Sequence, residues 1–494
     1  MSSSEAPAER QRLGGSRKLT LIDAVAQSVG FMGPVFSIAF LVPLLVGLNA
    51  SGKGAGAAAP LSVFIAAVGV LGLGWIVSEY AKRIQAAGSL YDYVSDGLGG
   101  RTGAAAGFLY YVGILALGAG ILVMISGTIT DTLQAEFNIK PVPQYGWDIL
   151  LLVLVAAIMY LGVALSTRAQ LVLALISLSV VLIFFIVVIV KVGGENHVAK
   201  AFTPSTSPQG LNGVLFGVLY GVLLFTGFET AANLGEETAH PKRDIPRAVL
   251  ISVIAIAGFY ILGAYAQIAG FHFDLATIGK NASAPLFGLA GPVSDGGYGS
   301  IIIRRLLELV VVLDMIAVLI GISVAASRGL FALARDQRLP RPMARVSSRG
   351  TPLVASSVVL TVFAAFVVLT HAWTSLFAQA GLPHYVAMFS WGSTFGGFAL
   401  AAIYLMMCVG AVRGLGDHPR RWAVYLACTV GIVVSGAALF GSIYKVAAPT
   451  IYAPYACIGV LVVGYALTVV FPSRTQGITT FTELSPAEQG PIKI

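Results

Sequence analysis

Charge is what this chain has least of. Asp, Glu, Lys and Arg make up 11% of its 494 residues, where a soluble domain carries about a quarter. With 57% hydrophobic residues and a mean hydropathy of +0.86, that shortfall excludes a string of water-soluble domains. Cysteine is scarce too. Cys408, Cys428 and Cys457 fall inside apolar stretches, where they read as small buried residues rather than a disulfide framework. The histidines His197, His240, His272, His371, His384 and His418 are scattered and form no ligand pair at helical spacing, so no metal site is expected. A membrane-embedded enzyme would need a Ser/His, paired-Asp or His-rich cluster in mid-span, and none is present. Residues 47–54 begin like a phosphate-binding loop but lack the Ser or Thr that holds magnesium. ATP drive within the chain is thereby excluded, and no cofactor is expected. The first 18 residues are polar and the first apolar run is long enough to span, so no cleavable signal peptide is expected.

What the chain has in abundance is long apolar runs. They recur near 24–47, 60–78, 103–130, 149–166, 169–190, 211–234, 248–269, 306–327, 353–370, 383–410, 422–444 and 452–471. Each meets or approaches the roughly 20 residues that cross a hydrocarbon core. The fold class is therefore all-α, a polytopic membrane protein of about 12 transmembrane helices. Twenty-two of the 30 Lys and Arg residues fall on the side that holds both termini and eight on the other. The positive-inside rule predicts both termini in the cytoplasm of a multi-pass plasma-membrane protein. The same bias explains the net charge of +8 without a nucleic-acid partner; the lipid bilayer is the surface those basic loops face. Gly103 with Gly107, Gly392 with Gly396, and Gly69, Gly72 and Gly74 offer small faces for close helix packing.

Two spans carry residues that a membrane helix should not. The first holds Gly30, Gly33 and Pro34, and proline cannot donate to a helix and clashes with the carbonyl four residues back. The sixth holds Gly227 and Glu229, then runs into an acidic–basic loop before the chain restarts as helix at Pro246. An ionisable group at that depth is costly and marks a functional site by default, and a broken helix in lipid must line a cavity or be buried in protein. Breaks at comparable places in two halves point to a transporter whose substrate and ion sites lie near the midplane. Half-helix N-termini offer N–H groups to an anion and half-helix C-termini offer carbonyls to a cation; an amino acid zwitterion presents both charges. Glu229 is alternatively a structural carboxylate that satisfies freed N–H groups. Asp314, in the eighth span, faces the vestibule or pairs with Arg304, Arg305 or another outer cation, the pairing being the preferred reading.

At this point the chain resembles the amino acid–polyamine–organocation superfamily of permeases. The resemblance is carried by residues 79–97, by residues 225–247 with their Glu-Glu-Thr and Pro-Lys-Arg-Asp-Ile-Pro-Arg signatures, and by the eighth-span exit from Ala326 through Pro340 to Thr351 and Pro352. It implies a LeuT-like five-plus-five inverted-repeat core at 19–412, accessory helices at 413–472, and cytoplasmic tails at 1–18 and 473–494. By the same resemblance Ser28, Gly30, Gly33 and Pro34 would cradle the substrate carboxylate, while Phe225, Thr226 and Gly227 would receive the amine. Glu229, Ser177, Leu223 and Asp314 would serve coupling or gating.

Three departures stand out. Met-Gly-Pro-Val-Phe replaces the usual Gly-Ser-Gly-Ile-Phe-like segment; Leu223 stands where many members carry a gating aromatic; and Ser177 stands where some proton-coupled members carry lysine. Ser177 is either a ligand or a hydroxyl bonding back to its own turn. The function implied is import of an amino acid by a secondary active permease using a proton or sodium gradient. An amine or polyamine permease and a non-transporting amino acid sensor are the alternatives, the short tails counting against the sensor. Oligomeric state is left open.

Overall fold

The computed structural model describes residues 13, 18–48, 52–139, 142–161, 163–280, 284–379, 383–446 and 448–470. The tails expected at 1–18 and 473–494 lie outside these, apart from Leu13 and Lys18. The described residues form 12 helical spans long and apolar enough to cross a membrane. Spans 1 to 6 are Leu21–Val46, Gly56–Arg83, Gly100–Gln134, Gln144–Leu161, Thr167–Glu195 and Gly210–Leu234. Spans 7 to 12 are Pro241–Gly270, Ile301–Arg335, Leu353–Ala372, His384–Gly414, Arg421–Gly441 and Tyr452–Val470. Span 1 runs away from the end of the bundle that carries Leu19, and span 6 runs back towards it. Each opens a group of five helices, so the two groups stand inverted with respect to one another.

Local chemistry sets the ends of the broken spans. Span 1 starts at a capping box in which Thr20 and Asp23 satisfy each other's backbone N–H groups. Its first half, Leu21–Met32, stops at Gly33 in the left-handed region (φ 55°). Pro34 then opens the second half, Pro34–Val46, at the position where a missing N–H costs nothing. Gly33 has no room for a side chain, since a Cβ there would collide with Val318 of span 8. Span 6 is helical over Gly210–Leu224, breaks through Gly227 (φ 109°), and resumes as a 3₁₀ turn over Phe228–Leu234. The helix of span 7 starts at Pro241 rather than at Pro246. The Pro-Lys-Arg stretch expected in a loop forms its first turn, with Pro241 in the first-turn place proline tolerates.

Spans 1 and 3 are the most enclosed, with 83% of their central windows buried, against 22% for span 4. Span 4 instead turns Ile149, Leu150 and Val153 outwards, where lipid would cover them. Glycine brings spans 3 and 10 together: a Cβ on Gly392 would lie 2.6 Å from the Ala116 carbonyl, and one on Gly396 2.8 Å from Leu117 Cβ. Gly103 and Gly107, by contrast, face Ser95 and Tyr91 of a short amphipathic helix, Leu90–Leu98, that the sequence did not announce.

The bundle end near Leu19 is closed by buried ions. Arg328 of span 8 donates from Nε to Glu237 Oε2 at 2.8 Å and from Nη2 to Oε1 at 3.2 Å, with both side chains 3% exposed or less. Arg335 Nη1 meets Glu236 Oε1 at 2.7 Å, an oxygen that also accepts the Ala87 N–H. Leu19 pairs its backbone with Glu237 and Ala239, both at 2.9 Å. Asp92 lies beside this network; burial and then neighbouring Asp336 push its carboxyl well above the usual carboxylate range, against the pull of Arg335.

Removing one member of a buried pair strands the other charge. Glu237→Ala is expected to lower stability by about 3–5 kcal/mol, seen in fluorescence-monitored melting in detergent, and the paired change Arg328→Met with Glu237→Leu is expected to recover most of it. Because the folded pKa of Asp92 is raised, its penalty is absent at low pH and grows as pH rises towards the folded value. The melting-temperature advantage of Asp92→Asn over the wild type is therefore expected to widen between about pH 4 and pH 8.

Candidate functional site

The two breaks meet at mid-depth and are tied together by one hydroxyl. Ser28 donates from Oγ to the Phe228 carbonyl at 2.7 Å and accepts the Ala231 N–H at 3.1 Å. The first half of span 1 is thus riveted to the second half of span 6. Thr230 adds a bond to the Gly227 carbonyl at 2.7 Å, which serves a backbone group freed by the break. Phe225 is fully buried with its ring edge-on to Tyr260 at 5.1 Å. Its carbonyl, expected to face an amine, accepts the Phe228 N–H at 3.2 Å.

Beside the junction lies a cavity of about 430 Å³, within the roughly 300–1,000 Å³ of small-molecule sites. Phe31, Met32, Phe36 and Ser37 line it from span 1, Leu219, Tyr220, Leu223 and Thr226 from span 6, and Val318 from span 8. Span 10 contributes Phe389 and the hydroxyls of Ser390, Ser393 and Thr394. The cavity reaches Leu48 and Val446 at the bundle end away from Leu19, where Leu48 is 38% exposed. Arg328, Glu237, Arg335 and Glu236, at the opposite end of the bundle, are not among its lining residues. Among the described residues no charged side chain lines it. Leu223 and Thr226 stand in its wall; Gly30 is not among the lining residues and packs against Gln170 of span 5. Gln170 in turn donates to Gln27 Oε1 at 3.2 Å, and Gln27 to the Gly321 carbonyl at 3.0 Å.

Glu229 and Asp314 are held by partners that sequence spacing could not supply. Glu229 accepts the Tyr110 hydroxyl at 3.1 Å on Oε1 and the Tyr404 hydroxyl at 2.6 Å on Oε2. These tyrosines come from spans 3 and 10, outside the broken pair, and nothing in the sequence distinguishes them from other membrane tyrosines. Asp314 does not pair with Arg304 or Arg305. Its Oδ2 accepts the N–H groups of Val35 and Phe36 at 3.0 and 2.9 Å, at the start of the second half of span 1. Arg304 meets Glu308 at 3.1 Å one helical turn away. Ser177 departs from the own-turn reading: its hydroxyl crosses to the Val310 carbonyl of span 8 at 2.9 Å.

Residues 19–474 match the model of a family described as amino acid permease. The chain is 27% identical over 370 residues to the vacuolar cationic amino acid transporter 4 of Arabidopsis thaliana, an alignment that covers 71% of this chain and 58% of that protein. Against the branched-chain amino acid permease of Lactococcus lactis it is 24% identical over 357 residues, 68% of this chain and 72% of the other. It therefore spans less than two thirds of the plant relative and somewhat more of the bacterial one. Among solved structures it is similar to the manganese transporter of Eremococcus coleocola, with a TM-score of 0.56 at 15% identity over 94% of this chain and 98% of that one. At that identity the likeness shows the fold alone, a LeuT-like one. With a match running across nearly all of its spans, the chain belongs to the amino acid permease family.

Proposed function

We propose that the protein is a secondary active transporter that imports a small amino-group-bearing substrate across the plasma membrane by ion-coupled alternating access. An amino acid is the family's usual case. The observation that carries this reading is the cavity between the two broken spans, which extends towards the end of the bundle away from Leu19, while the buried Arg328–Glu237 pair stands at the other end. A site extending towards one end, walled by two helices that are already interrupted, suits a carrier that exposes its substrate to each side in turn. The wall is mostly apolar with hydroxyls at one edge, which fits a small organic molecule with an apolar body. The relatives named above are transporters of cationic and of branched-chain amino acids. Both termini cytoplasmic, from the Lys and Arg bias, would make the end away from Leu19 the exterior one.

A proton or sodium ion is the proposed driving ion. Glu229 is the proposed coupling carboxylate, because it sits at the break and its tyrosine partners belong to neighbouring helices. Its protonation would weaken two bonds that join span 6 to spans 3 and 10.

Counterflow in proteoliposomes with a panel of amino acids and amines tests the transport reading; a folded protein that exchanges none of them refutes it. Glu229→Gln is expected to abolish uphill, pH-dependent uptake while exchange of substrate for substrate persists. Normal pH-dependent uptake in that variant would remove Glu229 from the coupling role. Tyr404→Phe deletes a hydrogen bond to a charged group and is expected to destabilise by about 1.5–3 kcal/mol, measured as a lower melting temperature in detergent.

A further inference from the structure

A second cavity, of about 420 Å³, lies where span 8 ends against spans 3 and 12, and it shares no lining residue with the first. Ala104 and Phe108 of span 3, Leu333 of span 8, and Gly464 and Leu467 of span 12 make its wall apolar. Span 12 is peripheral, with 28% of its central window buried, and Leu467 is 43% exposed, so the cavity opens beside a surface that lipid would cover. The end of span 8 builds its polar edge. The Gln337 N–H donates to the Ala334 carbonyl at 3.1 Å and the Arg338 N–H to the Leu333 carbonyl at 2.8 Å, with Gln337 in the left-handed region (φ 60°). This pair of bonds is a Schellman turn, made here by glutamine in the place usual for glycine, and it folds the chain back so that Arg338 lines the cavity. The Arg338 guanidinium makes no hydrogen bond or ion pair among the described residues. Its Nη2 lies against the start of span 3, 3.2 Å from the place of a Cβ on Gly100. Among the described residues no carboxylate lines the cavity. Asp336, the nearest acid in sequence, is buried and accepts the Tyr91 hydroxyl at 3.0 Å.

We propose that this cavity binds an anionic phospholipid, with an acyl chain along the wall of Phe108, Leu333 and Leu467 and the headgroup phosphate on Arg338. An arginine without a partner at the rim of an apolar groove suits a ligand that is itself a phosphate on a hydrocarbon chain. Guanidinium and phosphate form paired, charge-assisted hydrogen bonds, and the chain removes the apolar wall from water. A free phosphate would cover none of that wall, and a zwitterionic lipid would bring its own cation to the arginine. The sidedness proposed above puts this end at the cytoplasmic leaflet, whose surface is anionic and where basic pockets between spans take such headgroups. Leu333, Gln337 and Arg338 flank Arg335, whose Nη1 meets Glu236 Oε1 at 2.7 Å. A bound lipid therefore braces the helix end that carries one of the buried ion pairs, whatever substrate the broken spans take.

The test is titration of the delipidated protein in neutral detergent with phosphatidylglycerol and phosphatidylcholine of the same acyl chains, read as melting temperature and as bound lipid in native mass spectrometry. The wild type is expected to bind phosphatidylglycerol about tenfold more tightly than phosphatidylcholine. Arg338→Gln is expected to remove that preference and Arg338→Lys to keep most of it. Arg421→Gln, at an exposed basic residue of the same bundle end that lines no part of the cavity, is expected to leave it unchanged. Equal binding of the two lipids by the wild type, or an undiminished preference in folded Arg338→Gln, overturns the assignment. An equal thermal shift from inorganic phosphate overturns it too, since the site would then be one for a free anion. Leu467→Trp, which fills the groove from its exposed rim, is expected to weaken phosphatidylglycerol binding. It decides the matter if Arg338→Gln fails to fold, undiminished binding there removing the lipid from the groove.

Discussion

Every feature of this molecule's centre follows from the need to partner backbone groups inside a bundle that offers no water. Breaking span 1 at Gly33 and span 6 at Gly227 frees N–H and C=O groups at mid-depth, where each unsatisfied group costs several kcal/mol. The chain meets that cost with its own side chains. Ser28 takes one carbonyl and one N–H, Thr230 another carbonyl, and Asp314 two N–H groups. The breaks persist because they are bonded this way, and the bonds put the few buried polar residues where they are. Elsewhere the spans need only small residues and apolar surface, which is why glycine contacts such as that of Gly392 with the Ala116 carbonyl suffice.

Much of this was legible in the sequence. Span number and positions come from hydropathy, which reports a solvent preference summed over 20 residues and so tolerates local noise. Pro34, Gly227 and Glu229 stand out because each violates what a membrane helix allows. What the sequence could not show was partnership. Tyr110 and Tyr404 look like ordinary membrane tyrosines until folding brings spans 3 and 10 against Glu229. The nearest cations in sequence to Asp314 are Arg304 and Arg305, yet its partners lie nearly 280 residues away in the chain. The early start of span 7 has a local cause: Pro241 takes the first helical position, where its missing N–H costs nothing, and Pro246 lies inside the helix rather than at its start.

The two ends of the bundle are built on different principles. Near Leu19 the closure is ionic and backbone-specific, with two buried Arg–Glu pairs and a short bridge between Leu19 and the loop after span 6. At the other end the cavity is lined by Phe40, Leu44 and Leu48, with no charged side chain among its described lining residues. A buried ion pair is specific but adds little net stability, whereas apolar contact is non-directional. One end thus has a defined registry to lose on opening, and the other only surface to cover or expose.

Ser28 carries a mechanical consequence. Its hydroxyl bonds two positions three residues apart on the far side of the span 6 break, donating to Phe228 and accepting from Ala231. Two segments joined at a donor and an acceptor on one atom cannot slide along each other without losing both bonds. The first half of span 1 and the second half of span 6 are therefore coupled as a single lever arm: a tilt of one that leaves the other in place must break both bonds.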